Sequence, residues 1–184
     1  MPDTSLLTAF RFEVQLLRAP DIVAGRQLPP GAQDGYAEPS GSARLGSGAF
    51  QECTGLEIEM DVQEYTEGGR NSGTVRRVGR AKYQPLLLRR GLFYRKEGEA
   101  QVDAELWLWL QRILEGVRPV ARYDGVVHVM GQDNQVRASW MFDRGLPAKI
   151  RGPELNAKTG EIAIEELTIA HEGLRLLPPP GAAA

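Results

Sequence analysis

The sequence predicts one mainly β domain carrying a single packed helix. Three observations predict it. Apolar and polar residues alternate with period two in several short stretches between Phe10 and Ile169, as half-buried strands require. A helical period occurs in one stretch, 102–114. The chain has 184 residues, 42% of them hydrophobic, which suits one core, so residues 1–184 are expected to form one domain.

Phe10 to Leu16 opens the chain as an amphipathic strand, with Phe10, Phe12, Val14 and Leu16 on one face and Arg11, Glu13 and Gln15 on the other. Residues 18–47 are rich in Pro, Gly, Ser and Ala without period and read as a long insertion loop. Tyr36 and Leu45 are its expected contact points, should it meet another protein. The next strand is expected to put Phe50, Leu56, Ile58, Met60 and Val62 on one face and Glu57, Glu59, Asp61 and Gln63 on the other. It runs into Glu67-Gly68-Gly69-Arg70-Asn71, where adjacent glycines permit a sharp reversal and predict a hairpin or ordered loop. Ser72 to Ala81 reads as polar and glycine-bearing, and Lys82 to Gly91 as a further strand that Pro85 places at an edge or distorts at its start.

In the helix, Val102, Leu106, Trp109, Leu110 and Ile113 form one stripe, with Asp103 as N-cap and Gly116 as terminator. Trp107 falls off the stripe. Trp107 and Trp109 read as core and lid residues of a helix lying on a sheet, or as interface anchors. A hairpin follows, with strands around Val126–Met130 and Val136–Phe142 and a turn at Gly131 to Asn134. A Pro-containing crossing, a turn at Asn156 to Gly160 and a strand with Ile162, Ile164, Leu167 and Ile169 complete the pattern, and 178–184 read as a disordered tail.

The function classes narrow by chemistry. Net charge is -2, which gives no general pull toward nucleic acid or an anionic membrane. Arg70, Arg76, Arg77, Arg80, Lys82, Arg89, Arg90, Arg95 and Lys96, with Tyr83, Phe93 and Tyr94 nearby, leave a nucleic-acid-binding module as the weaker alternative. The acidic run Glu57, Glu59, Asp61, Glu64 and Glu67 followed by these cations suggests two faces of opposite sign, suited to head-to-tail stacking of identical copies. One cysteine, Cys53, reads as a small buried structural thiol, and His128 and His171 fall inside predicted strands, so neither a catalytic thiol nor a metal site is expected. Adjacent pairs such as Glu165-Glu166 and His171-Glu172 point to opposite faces of a strand, and Gly68-Gly69 lacks the Lys-Ser/Thr of a phosphate loop; no enzyme and no cofactor are expected. No secretory signal and no apolar run of about 18 residues are read, so synthesis in the cytoplasm without a membrane anchor is expected.

The run F-x-E-C-T-G-L…V-x-E-Y-x-E-G-G-R-N, from Phe50 to Asn71, resembles the signature of the tail tube (inner tube) proteins of contractile-tailed phages and phage-tail-like contractile injection systems. Lys82, Tyr83, Leu86, Leu88, Arg90 and Gly91 fill that family's K-Y-x-x-L-x-L-x-R-G pattern, Leu106 and Trp109 its helix, and Trp140, Phe142, Pro147, Lys149, Gly152, Pro153, Leu155, Ala157, Ile164, Glu165, Leu167, His171, Glu172 and Gly173 its C-terminal half. The insertion 18–47 departs from the shorter family turn. The resemblance implies a small β-barrel or sandwich with one helix, assembling into hexameric rings that stack into a tube around a lumen for cargo, with sheath, baseplate and cap proteins as partners in a virion or injection particle. It implies inter-subunit or inter-ring roles for Glu64, Tyr65, Glu67, Gly68, Gly69, Arg70 and Asn71, with Arg76 and Arg77 as partners of the acidic run. A tube-initiating or baseplate-end subunit of the same machine is the alternative that the insertion raises.

Overall fold

A computed structural model describes residues 6–19, 45, 50–66, 68, 73–94, 102–158 and 160–178. Among them lie β1 (Phe12–Arg18), β2 (Phe50–Thr54), β3 (Ile58–Tyr65), β4 (Val75–Tyr83), β5 (Leu86–Gly91), α1 (Glu105–Leu114), β6 (Tyr123–Met130), β7 (Val136–Arg151), β8 (Ile164–Ala170) and β9 (Gly173–Leu177). The molecule is mainly β with one helix, as expected. A 7-stranded sheet runs in the order β1-β6-β7-β8-β5-β2, with β9 also on β7, and β3 pairs with β4 in a separate 2-stranded sheet.

The long strand β7 is the spine. Its first part lies between β6 and β9 and its last part pairs with β8. The register runs on from Asp143↔Gly173 to Leu146↔Ala170, so β9 and β8 follow one another along a single edge of β7. Both lines bend together at this corner: Arg144 takes φ 54 on β7, opposite the break at His171–Glu172. Folding the sheet there wraps its inner face around Phe142, Leu86, Leu167 and Ile169, none of which retains solvent contact. Gly125 on β6 makes room for this, since a Cβ there would stand 2.1 Å from the Phe142 ring.

The helix closes the core. Leu106 and Trp109 of the expected stripe are buried, and the Trp109 indole N–H donates to the Ala121 carbonyl at 2.8 Å while its ring meets Tyr123 edge-on. Trp109 is therefore spent inside the chain and is not a surface anchor. The helix ends as read: Gly116 takes φ 80, its N–H donates to the Ile113 carbonyl, and the Val117 N–H donates to that of Arg112. At the start, Ala104 occupies the cap, and the Asp103 carboxylate instead accepts the Glu105 N–H at 3.2 Å.

Several boundaries differ from the sequence reading. β1 is shifted toward Arg18; Val14 and Leu16 face the core as expected, but Phe10 precedes the strand and stays exposed. The strand expected through Phe50 to Val62 is two strands, broken at Gly55, whose φ of 91 turns the chain out of the large sheet. Residues 72–81, read as polar and glycine-bearing, contain most of β4. Pro85 falls between β4 and β5, so the start is interrupted as foreseen, yet β5 is no edge strand, lying between β2 and β8. In β8 the inward residues are Glu165, Leu167 and Ile169, while Ile162 precedes the strand and is exposed. His171 likewise lies past β8, whereas His128 sits within β6 and bonds the Ser139 hydroxyl at 2.8 Å.

Arg90, read as a strand-end cation, is 1% exposed, as is Glu165. Its Nε donates to Glu165 Oε1 at 2.6 Å and its Nη1 to Asp103 Oδ2 at 3.1 Å, and the Trp107 indole N–H donates to Glu165 Oε2 at 2.9 Å. Half-buried Trp107 thus clamps α1 to β8 and β5 through a shared carboxylate. Burial without this set of partners would cost several kcal/mol per ion. Cys53 is half-buried against the core, and burial pushes its thiol up to about 11. Leu45, the described residue of the insertion other than Arg18 and Ala19, is core rather than outer surface, and its N–H donates to the Leu16 carbonyl. Tyr36 and residues 179–184 lie outside the described residues.

Candidate functional site

Among the described residues the β3–β4 hairpin forms no strand pairing outside itself. Cross-strand partners share a face. Ile58↔Tyr83, Met60↔Ala81, Val62↔Val78 and Glu64↔Arg76 therefore define one face, and Glu59↔Lys82, Gln63↔Arg77 and Tyr65↔Val75 the other. The first is apolar and open to solvent, with Val62 62% and Val78 71% exposed. The alternation from Ile58 to Val62 was legible, but the exposure of that face was not: among the described residues its apolar side chains stay open to solvent, with the Tyr83 ring against His171. The missed half of the surface is Val78 and Tyr83 on β4.

The acidic and basic runs meet on this element. Glu64 accepts from Arg76 at 2.9 Å and Asp61 pairs with Lys82 at 2.6 Å, which raises the ammonium above its ordinary value, first through that hydrogen bond and then through the carboxylate charge. Arg77 lies 5.1 Å over the Tyr65 ring, and the Tyr65 hydroxyl donates to Gln63 at 2.7 Å. Much of the expected inter-subunit charge is thus satisfied between the two strands of one hairpin. Asp61 sits at a register shift, and Gly79 across from it leaves only 3.1 Å between a hypothetical Cβ and the Asp61 carbonyl. Of the turn residues, Gly68 is in a turn with open space around it; Glu67, Gly69, Arg70 and Asn71 lie outside the described residues.

The sheet corner carries a second ionic group. Glu172 accepts from Arg122 at 2.5 Å and Arg144 at 3.0 Å, and Asp143 accepts from Arg175 at 2.6 Å. Asp124 accepts the Arg144 backbone N–H at 2.7 Å, and burial raises its carboxyl above the usual value. These pairs neutralise one another across strands and leave no nucleophile beside a base. Among the described residues no group of three His, Cys, Asp or Glu is placed to hold a metal, and no helix is long and apolar enough to cross a membrane.

The fold has solved counterparts. A chain in the anti-feeding prophage (AFP) baseplate superposes at TM-score 0.66 with 19% identity, over 95% of this chain and 97% of that one. A chain in the sheath-tube complex of PVC, an extracellular contractile injection system, gives 0.65 and 18%, over 93% and 90%. A chain in the AFP tube-terminating cap gives 0.65 and 17%, over 96% and 93%. At these identities the likeness is one of fold. No curated protein matches. The profile of the T4-like virus tail tube protein gp19 matches residues 8–175, nearly the whole sequence, and the chain belongs to that family of structural tube proteins.

Proposed function

We propose that this protein is the repeated subunit of the inner tube of a contractile injection system or phage tail. Copies close into hexameric rings, the β3–β4 hairpins of neighbours join edge to edge around a lumen, and rings stack into a tube that carries cargo. Sheath, baseplate and cap proteins are its partners in the virion or injection particle. The observation that carries this reading is a hairpin whose outer edges are unpaired among the described residues and whose apolar face is open to water, in a member of a tail tube family. An isolated two-stranded ribbon is marginal in water and its edges invite pairing. Ring closure supplies the missing neighbour and removes the edges, which turns a hazard into an assembly device. Glu64, Tyr65, Arg76 and Arg77 then sit beside the subunit boundary, and Glu67, Gly68, Gly69, Arg70 and Asn71 are proposed to meet the next copy or ring.

Negative-stain microscopy of the purified protein, with its mass in solution, tests the reading. Six-fold rings or tubes with a central channel are expected. A monomer at high concentration that baseplate components also fail to nucleate would overturn it. Charge reversal at Glu67 or Arg70 is expected to impair tube growth with the monomer still folded; normal tubes from either variant would remove the tip from the interface.

A further inference from the structure

We propose that His171 is a positioning residue that sets the angle at which the β3–β4 hairpin leaves the large sheet and its helix (the body), and through it whether copies can assemble; the second half of this rests on the tube reading above. The hairpin's foot is narrow. β4 ends at Tyr83 and β5 begins at Leu86, and on the other strand Gly55 approaches so closely that a Cβ there would stand 2.2 Å from the Pro85 carbonyl oxygen. The Gln84 N–H reaches the Glu57 carbonyl at 3.4 Å and ties the two feet together.

His171 is the polar side chain that joins this foot to the sheet corner. Its Nε2 lies 3.0 Å from the Gln84 carbonyl oxygen. A carbonyl only accepts, so Nε2 is the donor in this bond. Nδ1 is buried and has no hydrogen-bond partner among the described residues, so the ring's orientation follows from the one bond to Gln84. Its ring lies 5.6 Å from that of Tyr83, on the hairpin, and 5.7 Å from that of fully buried Phe142, on β7. The backbone that presents it is held in turn. The Glu172 N–H donates to the Asp143 carbonyl at 3.0 Å, and the Glu172 carboxylate takes Arg122 and Arg144. The chain of contacts therefore runs from the sheet's bend, through one imidazole, to the foot of the hairpin.

Leverage makes the joint matter. A strand as long as β3 spans about 26 Å at about 3.3 Å per residue, so a tilt of about 10° at the foot displaces the tip by roughly 4–5 Å, close to the spacing of about 4.8 Å between paired strands. A hairpin free to tilt by that amount presents its edge one strand out of place.

Two variants separate the ring from the donor. His171→Phe keeps an aromatic ring between Tyr83 and Phe142 and loses the N–H; His171→Gln keeps a donor near the Nε2 position and loses the ring. Hydrogen exchange is read separately for residues 57–84 and for β6, β7 and β8 in unassembled protein, alongside the concentration at which rings or tubes appear. In His171→Phe, exchange in the hairpin is expected to rise at least ten-fold with body exchange unchanged, and the assembly concentration to rise at least ten-fold; His171→Gln is expected to recover most of both. Unchanged hairpin exchange in His171→Phe overturns the proposal whether or not tubes form, as does a loss of protection shared equally by body and hairpin. Faster hairpin exchange in His171→Phe with normal assembly removes the link to assembly and leaves the joint, and faster hairpin exchange in His171→Phe beside a wild-type chain that never assembles overturns the tube reading instead.

Discussion

The large sheet and the hairpin are built from the same alternating pattern and meet opposite fates. On β5 the inward residues Leu86, Leu88 and Arg90 are sealed from water, and the one charge among them has a carboxylate on either side. On β3, Ile58, Met60 and Val62 keep the same spacing and remain open. Alternation states which residues share a face; it carries no information on what will cover that face. A covered face reports folding within the chain. An uncovered one of the same composition reports a partner, which is why the hairpin is the place to look for function.

The comparison breaks most sharply at Glu165. Truncation in Glu165→Ala leaves the buried Arg90 guanidinium with Asp103 but without its shorter ion pair and frees the Trp107 indole N–H, a loss of about 3–5 kcal/mol for removing one partner of a buried pair. Against a typical total of about 5–15 kcal/mol, the urea midpoint should fall drastically or the chain should not fold. The matching substitution on the hairpin, Val62→Asp, places a charge in water and should leave the midpoint within about 0.5 kcal/mol of wild type, as surface changes do. Tubes should nevertheless be lost. If Val62→Asp unfolds the subunit, the hairpin belongs to the same core as the large sheet and the contrast fails.

The cysteine sharpens the sheet side. With its thiol lifted from 9.0 to about 11, Cys53 holds about a hundred-fold less thiolate at neutral pH than an ordinary cysteine, and labelling by a thiol reagent should slow by about that factor until urea unfolds the sheet. Labelling at the rate of a free thiol would mean that β2 opens from the sheet edge in the native state.

The elements whose pattern has a single physical cause were legible. The stripe from Leu106 to Ile113 and the glycine past its end give the helix and its terminator, and Gly131 to Asn134 gives the β6–β7 turn. What hid from the sequence has two sources. In β4 the apolar residues Val78, Ala81 and Tyr83 fall out of period two because the register shift opposite Asp61 puts an extra residue between Val78 and Ala81, so it read as polar connection. Glu165 and Arg90 carried the opposite disguise, two charged residues on inward positions whose pairing spans 75 positions in sequence. His171 lay within a recognised motif, but its bond to a backbone carbonyl leaves no trace in the residue at position 84, since any residue offers one.

The smallest effect tests what sets an ionisable group's behaviour in each region. On the hairpin the neighbour decides: Asp61 raises Lys82, which is exposed. At the sheet corner burial decides, and Asp124 is raised by desolvation despite the Arg144 N–H, with Asp143 adding to the rise and Arg144 and Arg175 opposing it. The sign then follows. With the folded value above the unfolded one, the native state binds the extra proton over the window between them, so stability falls as pH climbs through it and stays lower above. Asp124→Asn removes the charge and keeps an oxygen that accepts the Arg144 N–H. Its urea midpoint should equal that of wild type in acid, where both groups are neutral, and exceed it slightly at pH 7, with the gap opening just above the ordinary aspartate range. A variant less stable at pH 7 would show that attraction to Arg144 and Arg175 outweighs burial, and that the corner is held by its charges as the hairpin's strands are.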